Sequence, residues 1–456
     1  MRRNETGVTM QTRVASTMRL FLLRLAFSAT IVLLCALTSR AGGPARVAGS
    51  AYFDSTAEGR PLTWPQGEIT YYVDQGNLSP VLPNSEANAL VASAFSQWTS
   101  VPTAALSITA GGSLAEDVSG ANVNRNSDGT ISMPPDVQPT ATGTPVGIVY
   151  DADGAVTSAL LGAGAADRAQ CFYNAVFGGN DSYGSFATYE HALVVINGQC
   201  AQQFSQISEI QYRLVRTIGN VLGVGWSQLN VNVQTGSPPP TEEDYAGFPV
   251  MHFLDLWNCV PITLCYPHPS QLSMDDIAAV SRLYPVTAQN QAAFPGKQIF
   301  SAGTARIHGS VWFTDTHGVR TQPMQGVNVV ARWIDPSTGQ PSRRYAASSV
   351  SGFLFTGNQG NPITGIEDAM GEPLSQWGSD EPELEGRFDL SGLQLPNGGS
   401  TQYQLSVEAL DPQWSYGVGP YSPESVSPSG SFLPIAITVS PGSNVQQDLV
   451  MSGTAQ

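Results

Sequence analysis

Lysine is all but missing from this chain of 456 residues: Lys297 is the single example, and the other basic residues are Arg. Charge of any kind is sparse at 12 %, with 20 basic residues against 36 acidic ones. That shortage of positive charge argues against nucleic acid or an anionic membrane as partner, because phosphate surfaces are held by clustered Lys and Arg. Cysteine is also scarce, at five residues, and none form a C-x-x-C pair, so a zinc ribbon is excluded. No apolar run reaches the roughly 20 residues a spanning helix needs. What remains is 41 % apolar, with 46 Gly and 32 Pro. Such a chain is globular, loop-rich and strand-rich, and long enough for two or three domains.

The first residues read as a leader. Arg13, Arg19 and Arg24 precede an apolar run over 25–37 that ends at Ser39-Arg40-Ala41, a small-x-small cleavage signal. Residues 1–41 are therefore expected to be a signal peptide that takes Cys35 with it, and the protein is expected to be exported: secreted, periplasmic or on the cell surface. Removal of that segment, which carries six Arg and one Glu, leaves 14 basic against 35 acidic residues and a net charge of −21. Four cysteines stay behind: Cys171, Cys200, Cys259 and Cys265. An even number in an exported chain favours disulfides. Three pairings are open, of which Cys171–Cys200 with Cys259–Cys265 is the sequence-local one.

Residues 42–65 read as an extended lead-in. Residues 68–73 (EITYYV) predict a strand, β-branched and aromatic. Asn84 and Ser85 offer an N-cap for a helix with Leu90, Val91, Ala94, Phe95 and Trp98 along one face. A second strand is expected over 191–197 and helices over 211–223 and 272–283, the last capped by Ser273. Asp128-Gly129 sits in a stretch echoing the front half of a calcium loop, but Pro135 occupies the place of the closing Glu, so a plain turn is expected. Asp151-Ala-Asp153-Gly154 lies between two β-like runs and predicts a hairpin turn, with calcium at Asp128, Asp151 and Asp153 the lesser alternative. Residues 286–304 read as a polar linker. From 305 to 452 short β runs alternate with turns, which predicts an all-β sandwich carrying an insertion at 356–384.

Three pieces of 60–285 resemble the matrixin group of metzincin zinc proteases, with the domain itself expected over 66–285. The first is Trp64-Pro-Gln-Gly-Glu-Ile69-Thr-Tyr-Tyr72 with the helix ending Ala94-Phe-Ser-Gln-Trp98. The second is Leu214-Val-Arg-Thr-Ile-Gly219-Asn-Val-Leu222-Gly223-Val-Gly225-Trp-Ser227, and the third is Pro249-Val250-Met251 followed by the helix from Leu272 to Tyr284. The resemblance implies an α+β domain with a mixed sheet, an active-site-type helix, a Met-turn at Met251 and a C-terminal helix. It also implies that the metal chemistry is lost. The family motif H-E-x-x-H-x-x-G-x-x-H places two His on one helix face, a third after a glycine turn, and a Glu as general base. Here Arg216, Asn220 and Trp226 stand at the three ligand positions and Thr217 at that of the base. A guanidinium has no lone pair to give and repels a dication, an indole N–H only donates, and a carboxamide is a poor substitute for imidazole on zinc. The expectation is a domain without zinc or other cofactor and without catalysis.

Two uses of the vacated positions are open. Arg216, Asn220, Trp226 and His252 could line a groove for a peptide, protein or glycan. Alternatively Trp226 fills space while Arg216 pairs with Glu242, Glu243 or Asp244. Glu190 is placed to pair with its neighbour His191. Residues 305–452 resemble the carboxypeptidase regulatory-like sandwiches, grouped with carbohydrate-binding-like folds, through Ile307-His-Gly309-Ser-Val311, Gln325-Gly326-Val-Asn-Val329, Glu385-Gly386-Arg-Phe388 and Tyr403-Gln-Leu405-Ser-Val407. A binding or surface role for the whole chain is the leading expectation. An active zinc endopeptidase with atypical ligands is one alternative. Glycan binding through Trp333, Trp377, Trp414 and Tyr416 is the other.

Overall fold

The computed structural model describes residues 43–49, 52–229, 237–252, 268–269, 271–314, 320–355, 377–379, 381–408 and 434–452. The leader 1–41, Cys259, Cys265, Trp414, Tyr416 and most of the insertion 356–384 lie outside the described residues. The chain is mixed α+β followed by two sandwich-like sheets.

In the first part a five-stranded sheet has the order β2-β1-β5-β7-β6. Its strands are β1 (Glu68–Val73), β2 (Ser107–Ser113), β5 (Val146–Asp151), β6 (Val176–Gly184) and β7 (Thr188–Asn197). All pair in parallel except β6, which runs antiparallel to β7 at the edge. A small hairpin of β3 (Asn124–Arg125) and β4 (Ile131–Ser132) lies apart. Helices α1 (Asn84–Thr99) and α3 (Ile207–Val221) pack on one face, where Trp98, Phe95, Ile210, Leu214 and Ile218 meet the apolar side of the sheet. The other face is closed by Leu114, Val118, Val123 and Val137 from the irregular stretch and by Val156 of α2 (Ala155–Leu161).

Several expectations need correction. The helix α1 begins at Asn84 rather than after it, with Pro83 in the N-cap place, because the Asn84 amide donates to the carbonyls of Asp74 and Gly76 at 2.8 and 2.7 Å. The expected hairpin at 151–154 is a strand-to-helix turn. Both carboxylate oxygens of Asp151 accept N–H groups from the first turn of α2, from Val156 at 3.0 Å and Thr157 at 2.7 Å. Those orphan donors make a helix the stable continuation. The lead-in is neither extended throughout nor peripheral: 55–59 is a turn, Val47, Ala48 and Leu62 are fully buried, and Pro44 bridges Val224. The linker is docked, since Lys297 Nζ donates to the carbonyl of Thr99, the last residue of α1, and to those of Val101 and Ala104 in the segment after it.

The sandwich comprises one sheet of order β11-β10-β13-β14 and another built around β8. The first holds β10 (Asn328–Ile334), β11 (Pro341–Val350), β13 (Thr401–Glu408) and β14 (Ile435–Val439). In the second, β8 (Ala305–Thr314) pairs with β9 (Arg320–Pro323), β12 (Arg387–Leu393), β15 (Asn444–Gln446) and β16 (Leu449–Ser452). Alternating inward residues such as Ile307, Val311, Val329, Phe388, Leu390 and Leu405 fill the space between the sheets. Helix α4 (Met274–Leu283) joins the two parts, with Val280 in the first core and Met274 in the second.

Candidate functional site

The site suggested by the sequence centres on α3 and its exit. Helix α3 ends because Gly223 adopts φ 83°, which costs an L residue a clash that glycine avoids. A Cβ there would meet the Tyr189 ring at 2.8 Å and the Leu62 carbonyl at 3.0 Å. The chain then turns through Val224 and Gly225 to Trp226. One turn back, Gly219 lets Met251 lie directly on the helix: a Cβ would collide with its Sδ and stand 2.7 Å from Trp98.

The loop 249–252 is irregular backbone and is held by side chains. Asp276, at the start of α4, accepts from Val250 N and Met251 N at 2.9 Å each, and from Ser273 N at 2.8 Å. Its carboxyl is pushed up to about 6, foremost by burial. Ser227 N donates to the Met251 carbonyl at 2.8 Å, so the exit of α3 and this loop are bridged. Arg216 supplies the third tie, with Nη2 donating to the His252 carbonyl at 2.7 Å. Its Nη1 donates to the Tyr212 hydroxyl at 3.2 Å. The guanidinium carbon lies 5.0 Å from the centre of the Trp226 ring and 5.3 Å from that of Tyr212.

The four residues expected to line a groove therefore divide. Arg216 and His252 are 8 % and 2 % exposed and face inward, whereas Asn220 and Trp226 are half-buried and reach the surface. Thr217 is buried on the same helix. The pocket beneath Trp226, bounded by Gly43, Ser227, Met251, Asp275 and Asp276, has room of about 10 Å³, enough for one water.

Two pairings expected from the sequence are not formed. Glu243 and Asp244 approach Arg344 and Arg343 of β11 at 3.4 and 3.6 Å instead of Arg216. His191 Nδ1 lies 2.6 Å from Asp181 rather than beside Glu190, because β6 carries Asp181 across from it while Glu190 points outward. Cys171 and Cys200 are joined. Asp128 accepts from Thr130 N and Oγ1 within a turn, and Asp153 accepts from Ala155 N. Among the described residues no group of three or more His, Cys, Asp or Glu is placed to hold a metal.

In the sandwich, the Trp333 indole N–H donates to Thr401 Oγ1 at 2.7 Å. Trp377 leaves the sandwich altogether: it bridges Ala48 and packs on Phe53, Tyr183 and the Arg46 guanidinium. Of the four aromatics flagged for a common binding face, the two among the described residues are thus in different places. Sequence reasoning missed Tyr212, whose i, i+4 spacing from Arg216 was the available signal, and Gly43, for which there was none.

No protein-family profile matches the chain, and no curated protein does. Among solved structures, a candidate carbohydrate-binding protein from Pseudomonas aeruginosa is similar at 14 % identity and a TM-score of 0.13, over 37 % of this chain and 97 % of that one. An (S)-allantoin synthase is similar at 11 % identity and a TM-score of 0.17, over 56 % of this chain and 82 % of the other. Scores this low carry no argument about fold or function.

Proposed function

We propose that this is an exported, non-catalytic protein, with a matrixin-like metzincin frame that has lost its zinc site and a carboxypeptidase regulatory-like sandwich. It acts by binding a peptide, protein or glycan, or as surface structure. The carrying observation is the occupation of the would-be metal position: Arg216 lies in α3 with its guanidinium over the rings of Tyr212 and Trp226 and on the His252 carbonyl. A protonated guanidinium in that place opposes a dication, and a catalytic zinc needs three protein ligands. The frame reading is supported by helix positions 216 and 220 one turn apart, the left-handed Gly223 and the close seat of Met251 on Gly219. Export is supported by the Cys171–Cys200 disulfide, which persists in oxidising compartments. Contact with a ligand falls to Asn220 and Trp226, the two of the set that reach solvent.

The test is elemental analysis of the purified chain together with a peptidase assay with and without a chelator. The expected result is less than a tenth of an equivalent of zinc and no chelator-sensitive hydrolysis. A full equivalent of tightly held zinc would overturn the reading in favour of an endopeptidase with atypical ligands.

A further inference from the structure

The loop 249–252 is clamped from two sides by opposite charges. Its donors, Val250 N and Met251 N, face the Asp276 carboxylate, and its acceptor, the His252 carbonyl, faces the Arg216 guanidinium. Arg216 belongs to α3 and Asp276 to α4, so the loop is the bridge between the two helices. The cation lies over two rings: Tyr212, one turn earlier on α3, and Trp226, just after its exit. Burial lowers the pKa of Arg216, and rings, which carry negative potential on their faces, offset part of that cost to the charge in a way an apolar side chain would not. A buried charge with such partners is costly to unpair.

We infer that Arg216 is a positioning residue that serves as a permanent internal cation, tying α3 to the loop 249–252 in the place where the proposed frame would hold its metal. The inference rests on that frame reading for the comparison with a metal, and on the contacts alone for the tie. It also accounts for the substitution chosen. Of the residues that could replace a ligand, Arg brings its own positive charge and a planar fork of donors for a carbonyl and a hydroxyl together.

The tie is tested in the full chain by comparing Arg216→Met, which keeps bulk, with Arg216→Lys, which keeps charge. The expected result is a thermal midpoint lowered by several degrees in Arg216→Met and by clearly less in Arg216→Lys, with faster amide exchange over 249–252 in the former. A midpoint unchanged in Arg216→Met, or a Lys variant less stable than the Met one, overturns the inference. Should neither fold, the milder Trp226→Phe and Trp226→Leu decide: a cation role expects Phe, which keeps a ring face, to retain more stability than Leu, and the reverse order overturns it.

A triple variant, Arg216→His with Asn220→His and Trp226→His, separates the two claims. Zinc binding with recovery of the midpoint supports a cation exchanged for a cation. Failure to bind zinc overturns the frame reading, while the Met and Lys pair still judges the tie.

Discussion

The wall beneath Trp226 and the core of the sandwich are both tightly packed, but they are held together by different means. The sandwich is continuous ladder, its main-chain groups satisfied by neighbouring strands, and what fills it is apolar: Phe388, Leu390, Leu405 and Tyr403 are all fully buried. Around Trp226 the backbone leaves any ladder, and its N–H and C=O groups are met by Asp276, Arg216 and Ser227. Buried main-chain groups must find partners somewhere. Regular strands supply them from within, whereas an irregular loop draws ionisable side chains into the interior. The adjacent acids at the start of α4 show both solutions meeting: Asp276 serves the loop, and Asp275 accepts from Ser348 N of β11 at 2.7 Å across the junction.

Breaking the sandwich should therefore be a matter of lost volume, and breaking the wall a matter of lost partners. The largest effect is expected from Phe388→Ala, a cavity worth about 4 kcal/mol, seen as a fall in denaturant midpoint with all probes moving together. Asp276→Ala leaves three main-chain donors stranded and should cost about 3 kcal/mol. Its loss should register first in amide exchange over 249–252. The two variants also part company with pH. The Asp276 carboxyl is raised by burial from 3.8 to about 6, so the folded state holds that proton more tightly than the unfolded chain does. Stability from this group is then greatest below 3.8 and is lost as pH rises toward 6. The deficit of Asp276→Asn against wild type should accordingly shrink between about pH 4 and pH 6.5, while that of Phe388→Ala should not follow the same curve. A constant Asp276→Asn deficit would show that this carboxyl does not titrate there.

How much of this was readable in advance follows the same division. The periodic elements were legible: 68–73, 191–197 and the helix at 272–283 with its Ser273 cap lie where alternation or helical spacing put them, whereas the β runs from 305 onward do so only in part, since β9 was not foreseen and the last stretch divides into β14, β15 and β16. The glycine turn after α3 was legible too, because a required positive φ leaves a residue-type signature at Gly223. The side-chain ties were not. Nothing local in the sequence distinguishes Asp276 holding a loop 25 residues away from an acid merely favouring its own helix start. The partner of Arg216 was sought among the acids at 242–244, whereas among the described residues its guanidinium donates to the Tyr212 hydroxyl and to a carbonyl oxygen, which every residue carries. The hairpin expected at 151–154 failed because the apolar residues of 155–160 recur at i, i+1, i+4 and i+5, a helical spacing, and Asp151 accepts from the first turn of that helix.

A smaller effect, about 2 kcal/mol, is expected from Gly219→Ala. By helix propensity alone the change should stabilise α3 by about 1 kcal/mol. Packing opposes it, since the new methyl would press on Met251 and on Trp98. A net gain in thermal midpoint would mean that Met251 can move aside, and the seat of the loop on the helix would then be loose.

The smallest effect concerns Lys297. Its ammonium meets the carbonyl of Thr99 at the C-terminal end of α1, where the helix dipole also favours a cation, and those of Val101 and Ala104 just beyond the helix, all at 2.6 to 3.0 Å. Burial lowers its pKa, and its contacts are partly open to solvent, so Lys297→Met should cost only about 1 kcal/mol. The linker keeps other ties, such as Gln298 N to the Pro102 carbonyl and Val286 N to that of Thr103. The scarcity of lysine makes a second measurement unusually clean. Lys297 is the one side-chain amine in the chain, so its rate of acylation can be read without competition from any other lysine. A docked ammonium should react far more slowly in the folded protein than in denaturant. Equal rates would place the linker free of α1, and would move it from the wall's side of the comparison to that of an ordinary tether.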